Sequence, residues 1–256
     1  MGLFSGNLYS QSLRQTTHVN IIVPDESEDF WPIVQGTPRV LYLLHGLGSD
    51  CDEWPRFSKI EAYAKLYNFW VIMPEVQRSF YTNTAFGPAY LSYVAEELPK
   101  LVNKFFCVSA DCSRTFIAGE SMGGYGAAKI GLTYPNSFAG IGMLSAVCDL
   151  SIISGAKSLL SWEGTAIPEE QAYFGCEGPV ADELVCLAKN VNPQIRPLLV
   201  QCCGNEDFLL EQNRLFSKNL NDIGWEHSYF EAGGDHNFLF WDSAIERVIK
   251  TFVGIQ

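Results

Sequence analysis

Thr115-Phe116-Ile117-Ala118-Gly119-Glu120-Ser121-Met122-Gly123-Gly124-Tyr125-Gly126 is the stretch on which the fold turns. Four residues that favour a buried strand run into Gly-x-Ser-x-Gly, and a helical pattern follows from Met122 to Tyr134, ended by Pro135. Strand, tight turn and helix in that order form the setting in which a serine is held above the end of a parallel sheet with its hydroxyl exposed. So sharp a turn places Ser121 in a strained conformation. Side chains at 119 and 123 would collide with the neighbouring strand and helix, which accounts for the two glycines. Ser121 is therefore the expected nucleophile. An ordinary capping serine in a Gly-rich turn is the plainer alternative.

A serine hydroxyl needs a base to take its proton. The chain has four histidines. His18 lies in an alternating N-terminal strand, His227 sits inside the strand pattern Glu226-His227-Ser228-Tyr229, and His45 opens a glycine-rich turn. His236, in Gly233-Gly234-Asp235-His236-Asn237, follows a strand and precedes the last helix. That agrees with the chain order nucleophile, acid, histidine. The acid is expected where the strand Leu198–Cys203 ends, at Gly204-Asn205-Glu206-Asp207. Asp207 is preferred because a helical run starts directly after it; Glu206 is second, and Asp182, within a helical pattern, third. The carboxylate would fix the tautomer of His236 and stabilise the imidazolium. Two N–H donors are needed for the tetrahedral oxyanion. One is expected from Met122. The other is expected from the turn His45-Gly46-Leu47-Gly48 after Arg39–Leu44, with Leu47 preferred to Gly46. Trp54, Phe80 and Tyr81, each beyond a strand end on the same side, are expected as pocket walls.

Outward from this centre the pattern repeats. Arg39–Leu44, Phe69–Met73, Gly140–Leu144 and Leu198–Cys202 are continuous apolar runs, as strands buried on both faces must be. Helical segments separate them near 54–67, 89–106, 181–189 and 208–222, and 238–253 reads as a closing amphipathic helix. Thr17–Val23 alternates before Pro24 and predicts an antiparallel edge hairpin; Trp225–Glu231 is a further strand. The fold class is thus α/β: a mostly parallel sheet, helices on both faces and an antiparallel N-terminal edge. Residues 1–256 are expected to form one domain, with about 149–180, carrying Trp162, Tyr173 and Phe174, as an insertion over the site.

The 256 residues are 47% hydrophobic and 18% charged, which suits one large core. A net charge of −12, from 29 acidic and 17 basic residues, with no basic cluster, argues against nucleic acid and anionic membranes as partners and favours a neutral small molecule. Eight scattered cysteines follow neither disulfide-scaffold nor zinc-site spacing and are read as free thiols of a reducing compartment. No secretory signal, myristoylation motif or membrane-spanning run is recognisable, so the expectation is a cytoplasmic protein. Assembly into a homo-oligomer is left open.

Taken together, Tyr42-Leu43-Leu44-His45-Gly46, Phe80-Tyr81-Thr82, Glu96-Glu97-Leu98-Pro99, Phe116 to Gly126, Cys203-Gly204-Asn205-Glu206-Asp207-Phe208 and His236 with Trp241 resemble the esterase D group. That group includes the S-formylglutathione hydrolases, and the sequence is most similar to small bacterial tributyrin esterases within it. The resemblance spans about residues 38 to 253. It implies the α/β-hydrolase fold, cleavage of short-chain acyl esters without cofactor or metal, and catalysis by Ser121, Asp207 and His236. Thioester cleavage and the acetyl-xylan, feruloyl and mycolyl chemistries of related enzymes remain alternatives. Two positions depart from the family pattern: Glu120 stands where an apolar residue is more usual, and Gly234-Asp235-His236 replaces Gly-Gly-His.

Overall fold

The computed structural model describes residues 1–25, 36–108, 111–153 and 169–254. Its centre is an eight-stranded sheet of order β1-β2-β4-β3-β5-β6-β7-β8. The strands are β1 (Gly2–Ser10), β2 (Gln15–Val23), β3 (Arg39–Leu44), β4 (Phe69–Pro74), β5 (Thr115–Glu120), β6 (Gly140–Leu144), β7 (Leu198–Gly204) and β8 (His227–Ala232). From β4 to β8 every neighbouring pair is parallel, with Leu43 opposite Ala118 and Gly119 opposite Met143. β1 and β2 form an antiparallel hairpin whose second strand also runs antiparallel to β4. The expected α/β-hydrolase architecture, including its antiparallel edge, is the one observed.

Why the central strands read as unbroken apolar runs is plain from β3. Val40, Tyr42 and Leu44 belong to the core on one face of the sheet, and Leu41 and Leu43 to the core on the other. Among the described residues the helices are α1 (Glu53–Phe57), α2 (Ile60–Tyr67), α3 (Tyr90–Ser92), α4 (Leu98–Phe106), α5 (Met122–Thr133), α6 (Glu169–Phe174), α7 (Glu183–Asn190), α8 (Leu210–Asp222) and α9 (Phe238–Phe252). The first core packs beneath α5, with Tyr93, Tyr125, Leu184 and Phe216; the second packs beneath α2 and α9, with Trp54, Trp241, Ile245 and Val248. α5 is buried from Met122 to Leu132, which explains why its sequence is apolar or small on all sides. α9 instead buries one stripe, Phe240, Trp241, Ala244, Ile245, Val248, Ile249 and Phe252, and Phe252 stacks on Phe116 at 4.6 Å. Each of the fully buried Ile and Val side chains among them contributes about 1.5–3 kcal/mol by leaving water.

The segment expected as one helix over 89–106 is interrupted. A π-helical turn, Tyr93–Glu97, links α3 to α4. Its last residue turns toward the N-terminal hairpin, where the Glu97 carboxylate accepts hydrogen bonds from Ser10 Oγ (2.6 Å), Gln11 N (2.7 Å) and Ser12 N (2.9 Å). One side chain thus closes the β1–β2 turn. Of the expected insertion, residues 154–168 lie outside the described residues. What precedes and follows them is tied down locally: Leu150 N bonds Ala181 O, and Phe174 packs on Phe80 at 6.1 Å.

Candidate active site

The site lies where the parallel strands end. β5 delivers Ser121 at a turn with φ 53° and ψ −117°, a region that side-chain-bearing residues rarely occupy. The conformation is enforced by close packing. A Cβ on Gly119 would lie 2.5 Å from the backbone of Gly123, and one on Gly123 would lie 2.4 Å from Leu44 O. Ser121 N donates to Leu144 O and its own carbonyl accepts from Tyr125 N, so both neighbouring elements clamp the turn.

Three distant segments meet here. Ser121 Oγ lies 2.9 Å from His236 Nε2, and His236 Nδ1 lies 2.8 Å from Asp207 Oδ2. Asp207 is 5% exposed and its other oxygen accepts from Leu209 N at 2.8 Å. Burial works to raise its carboxyl pKa, but the contacts with His236, Ser145 and Leu209 N outweigh that and hold it below the ordinary value. An ionised Asp207 requires Nδ1 to carry the ring proton. Nε2 is then the lone-pair nitrogen, facing the serine hydroxyl. Phe208 and Trp241 flank the imidazole with ring centroids at 4.6 and 4.9 Å.

The other candidates separate clearly. Glu206 is exposed, Asp182 precedes α7, and Asp235 turns back to accept from His236 N at 2.7 Å. His18 is held on the sheet edge between Ser5 and Asn7, and His227 between Ser217 and Trp225 O. His45 is buried in the loop, its Nδ1 against Gly46 O (2.9 Å) and its Nε2 accepting from Val76 N (3.1 Å). Of the two residues weighed as oxyanion donors, Gly46 donates its N–H to Glu53 Oε1 at 2.9 Å, and Leu47 lines the cavity over Ser121. Met122 is the first residue of α5, where helix N–H groups have no acceptor within the helix.

A cavity of about 300 Å³ opens over Ser121 and His236, walled by Leu47, Phe57, Phe238 and Trp241. Trp54, Phe80 and Tyr81, expected as walls, are fully buried and do not line it. Each has a packing task instead. The Trp54 indole donates to Leu44 O and backs Phe238 edge-on at 5.1 Å. Phe80 packs on Tyr125, and the Tyr81 hydroxyl donates to His45 O at 2.9 Å. Phe57 and Phe238 went unread because nothing local distinguishes a wall aromatic from a core one; Trp241 carried a signal through its place after His236.

Among the described residues one group, His18, Cys51 and Asp52, brings three metal-type ligand atoms within 4.8 Å. Each is already engaged: the ring as above, Asp52 by Asn20 Nδ2, and the Cys51 thiol pushed up to about 12 by burial and the carboxylates around it. No helix among the described residues is long and apolar enough to cross a membrane.

A serine–histidine–aspartate contact at the carboxyl end of such a sheet belongs with the serine hydrolases of the α/β fold. The Esterase family matches residues 10–248, and the chain belongs to that family. It is 29% identical to an acetyl esterase of Caldicellulosiruptor saccharolyticus, over 98% of this chain and 97% of that one. It is also similar to an S-formylglutathione hydrolase of Rattus norvegicus, 30% identical over 58% of this chain and 51% of the other. Among solved structures, the fluorophosphonate-binding serine hydrolase FphF of Staphylococcus aureus, substrate-bound, superposes with a TM-score of 0.84 at 33% identity, over 98% of each chain. The protein is an enzyme, a serine hydrolase acting on esters.

Proposed function

We propose that the protein is a carboxylesterase that cleaves short-chain acyl esters of neutral alcohols through an acyl-enzyme on Ser121. The observation that carries this reading is the single imidazole of His236 held 2.9 Å from Ser121 Oγ and 2.8 Å from Asp207. In the first half-reaction Ser121 Oγ bonds to the ester carbonyl carbon while its proton passes to His236 Nε2. The carbonyl oxygen becomes an oxyanion held by the Met122 and Leu47 N–H groups. Collapse breaks the carbon–oxygen bond to the alcohol, which leaves with the proton from Nε2. Water then repeats the sequence: its proton goes to His236, its oxygen to the acyl carbon, and Ser121 regains a proton as the acid departs.

Size supports short acyl chains. A cavity of about 300 Å³ sits at the lower end of small-molecule sites. The net charge of −12, to which the buried Glu53–Glu120 pair beside the cavity adds at most one negative charge, works against anionic substrates. That ranks the S-formylglutathione thioester second, although several relatives carry that activity in their names. Acetyl or feruloyl groups on polysaccharide are a third substrate class, in keeping with the acetyl esterase relative and a ferulic acid esterase of like fold. We further infer one catalytic domain over 1–256 and, from eight unpaired cysteines, a reducing cytoplasmic setting.

Hydrolysis of p-nitrophenyl esters from two to twelve carbons, run beside S-formylglutathione and acetylated xylan, tests the reading. kcat/KM is expected to peak at two to four carbons. A maximum at eight or more, or a preference for the thioester by an order of magnitude, would overturn it.

A further inference from the structure

Glu120, one residue before the nucleophile, is 1% exposed, and Glu53 of α1 is 4% exposed. They are 67 positions apart in the chain, yet their carboxyl groups meet beneath the turn after β3. Neither Glu120 oxygen has a hydrogen-bond donor of its own among the described residues. The nearest N–H, that of Gly46, is directed at Glu53 Oε1 (2.9 Å). Contact is so close that a Cβ on Gly46 would lie 2.2 Å from Glu120 Oε1. Two adjoining carboxylates without counter-charge are strongly disfavoured in a buried site, whereas an acid and a carboxylate form one short, strong hydrogen bond.

We propose that Glu120 and Glu53 hold one proton between them, Glu120 as the acid and Glu53 as the carboxylate, and that the pair is a positioning device for the oxyanion turn. Glu53, anchored by the shared proton, fixes Gly46 N–H; this orients the Gly46–Leu47 peptide and the Leu47 N–H beyond it. The inference rests on the esterase reading for its catalytic consequence but not for the proton. Burial first, then the charge of Glu53 and the contact with it, push the Glu120 carboxyl well above the carboxylate range, against a weaker pull from Gly46 N–H. The other ionisable groups facing the pair are Asp207, whose charge adds to the upward push, and Tyr81, with Glu75 and His45 beyond it; His236 lines the same cavity. Removal of the proton by alkali leaves two like charges in contact, displaces Glu53 from Gly46 and costs the turn its anchor.

The test uses the whole enzyme and two independent readouts. Infrared difference spectra at pH 7 report the C=O stretch of a protonated carboxyl, expected in the wild type and absent in Glu120→Gln. Steady-state hydrolysis of p-nitrophenyl acetate reports positioning. Glu120→Leu is expected to lower kcat about 10- to 100-fold with KM changed less than about threefold, less than outright removal of an oxyanion donor because the Leu47 N–H is displaced and not lost. Glu120→Gln, whose amide can still donate to Glu53, is expected to recover most of that loss and to lack the wild type's alkaline decline in kcat. A spectrum without the acid band overturns the shared proton. A band present together with an unaffected Glu120→Leu, or an alkaline limb unchanged in Glu120→Gln, overturns the positioning role. Should the wild type cleave no ester, the proposed function fails while the infrared result still decides the proton.

Discussion

Replacing Asp207 by Asn changes a donor–acceptor count that the structure fixes atom by atom. Asp207 presents two acceptors, one to Leu209 N and one to His236 Nδ1, each at 2.8 Å. An asparagine offers one acceptor and one donor group. The Leu209 N–H belongs to rigid backbone, so the amide oxygen stays with it and the NH2 turns to the ring. Nδ1 must then give up its proton to become the acceptor, and the proton moves to Nε2. There it faces Ser121 Oγ, and the ring can no longer take the serine proton. Reaction proceeds only through the minor tautomer, an effect of about four orders of magnitude in kcat, or about 5 kcal/mol. KM, set by cavity walls that the change leaves alone, is expected to move less than about threefold. Steady-state hydrolysis of p-nitrophenyl acetate measures both, with circular dichroism to verify folding. A folded Asp207→Asn enzyme within tenfold of wild-type kcat would refute the reasoning and return Glu206 to consideration.

Other expectations can be checked on the same preparation. Ser121→Ala should lose about four to six orders of magnitude in kcat and all labelling by a fluorophosphonate probe, with its unfolding midpoint kept or raised. Gly123→Ala drives a methyl to 2.4 Å from Leu44 O, and should cost several kcal/mol or prevent folding, read as urea midpoint or soluble yield. Glu97→Gln removes charge from three hydrogen bonds at the hairpin turn and should cost about 1–2 kcal/mol in urea titration, discounted for partial exposure. Asp207, Glu97 and Asp242 all have folded pKa values below their ordinary ones, in each case because hydrogen bonds outweigh the opposing effect of burial. A depressed carboxylate lends stability that is complete above its unfolded value, about 4, and is lost as pH falls through the folded value; urea midpoints should therefore drop steeply below about pH 4. A flat profile from pH 7 to 3 would contradict that sign.

What could be read from the chain alone, and what could not, divides along the range of the physics involved. The strands β3 to β7 announce themselves because burial on two faces forces runs dominated by apolar or small residues. Ser121, Asp207 and His236 were legible because each sits at a strand exit, where turn residues and chain order narrow the choice. β1 was harder to delimit: Gly2–Ser10 is an exposed edge strand whose sequence need not alternate. The π-helical turn at Tyr93–Glu97 answers to a hairpin more than eighty residues away, which no local window contains. The same holds for the cavity walls. Proximity to a strand end selected Trp54, Phe80 and Tyr81, but only three-dimensional packing decides whether an aromatic faces the cavity or backs it. The meeting of Glu53 with Glu120 is the extreme case, since Glu120 stood out only as a charge at an apolar position and nothing local ties Glu53 to it.

The backbone at residue 121 has a bearing on the economy of the whole molecule. A left-handed φ of 53° is one that glycine adopts freely and serine does not, at a penalty of about 1–3 kcal/mol. Set against the 5–15 kcal/mol that ordinarily separates native from unfolded chains, this is a sizeable share, concentrated in one peptide. The residue proposed as nucleophile is thus also a weak point, tolerated because α5 and the central strands around it are packed tightly enough to hold it. Mutations that loosen those neighbours, even far from the cavity, are where thermal tolerance and turnover would be lost together.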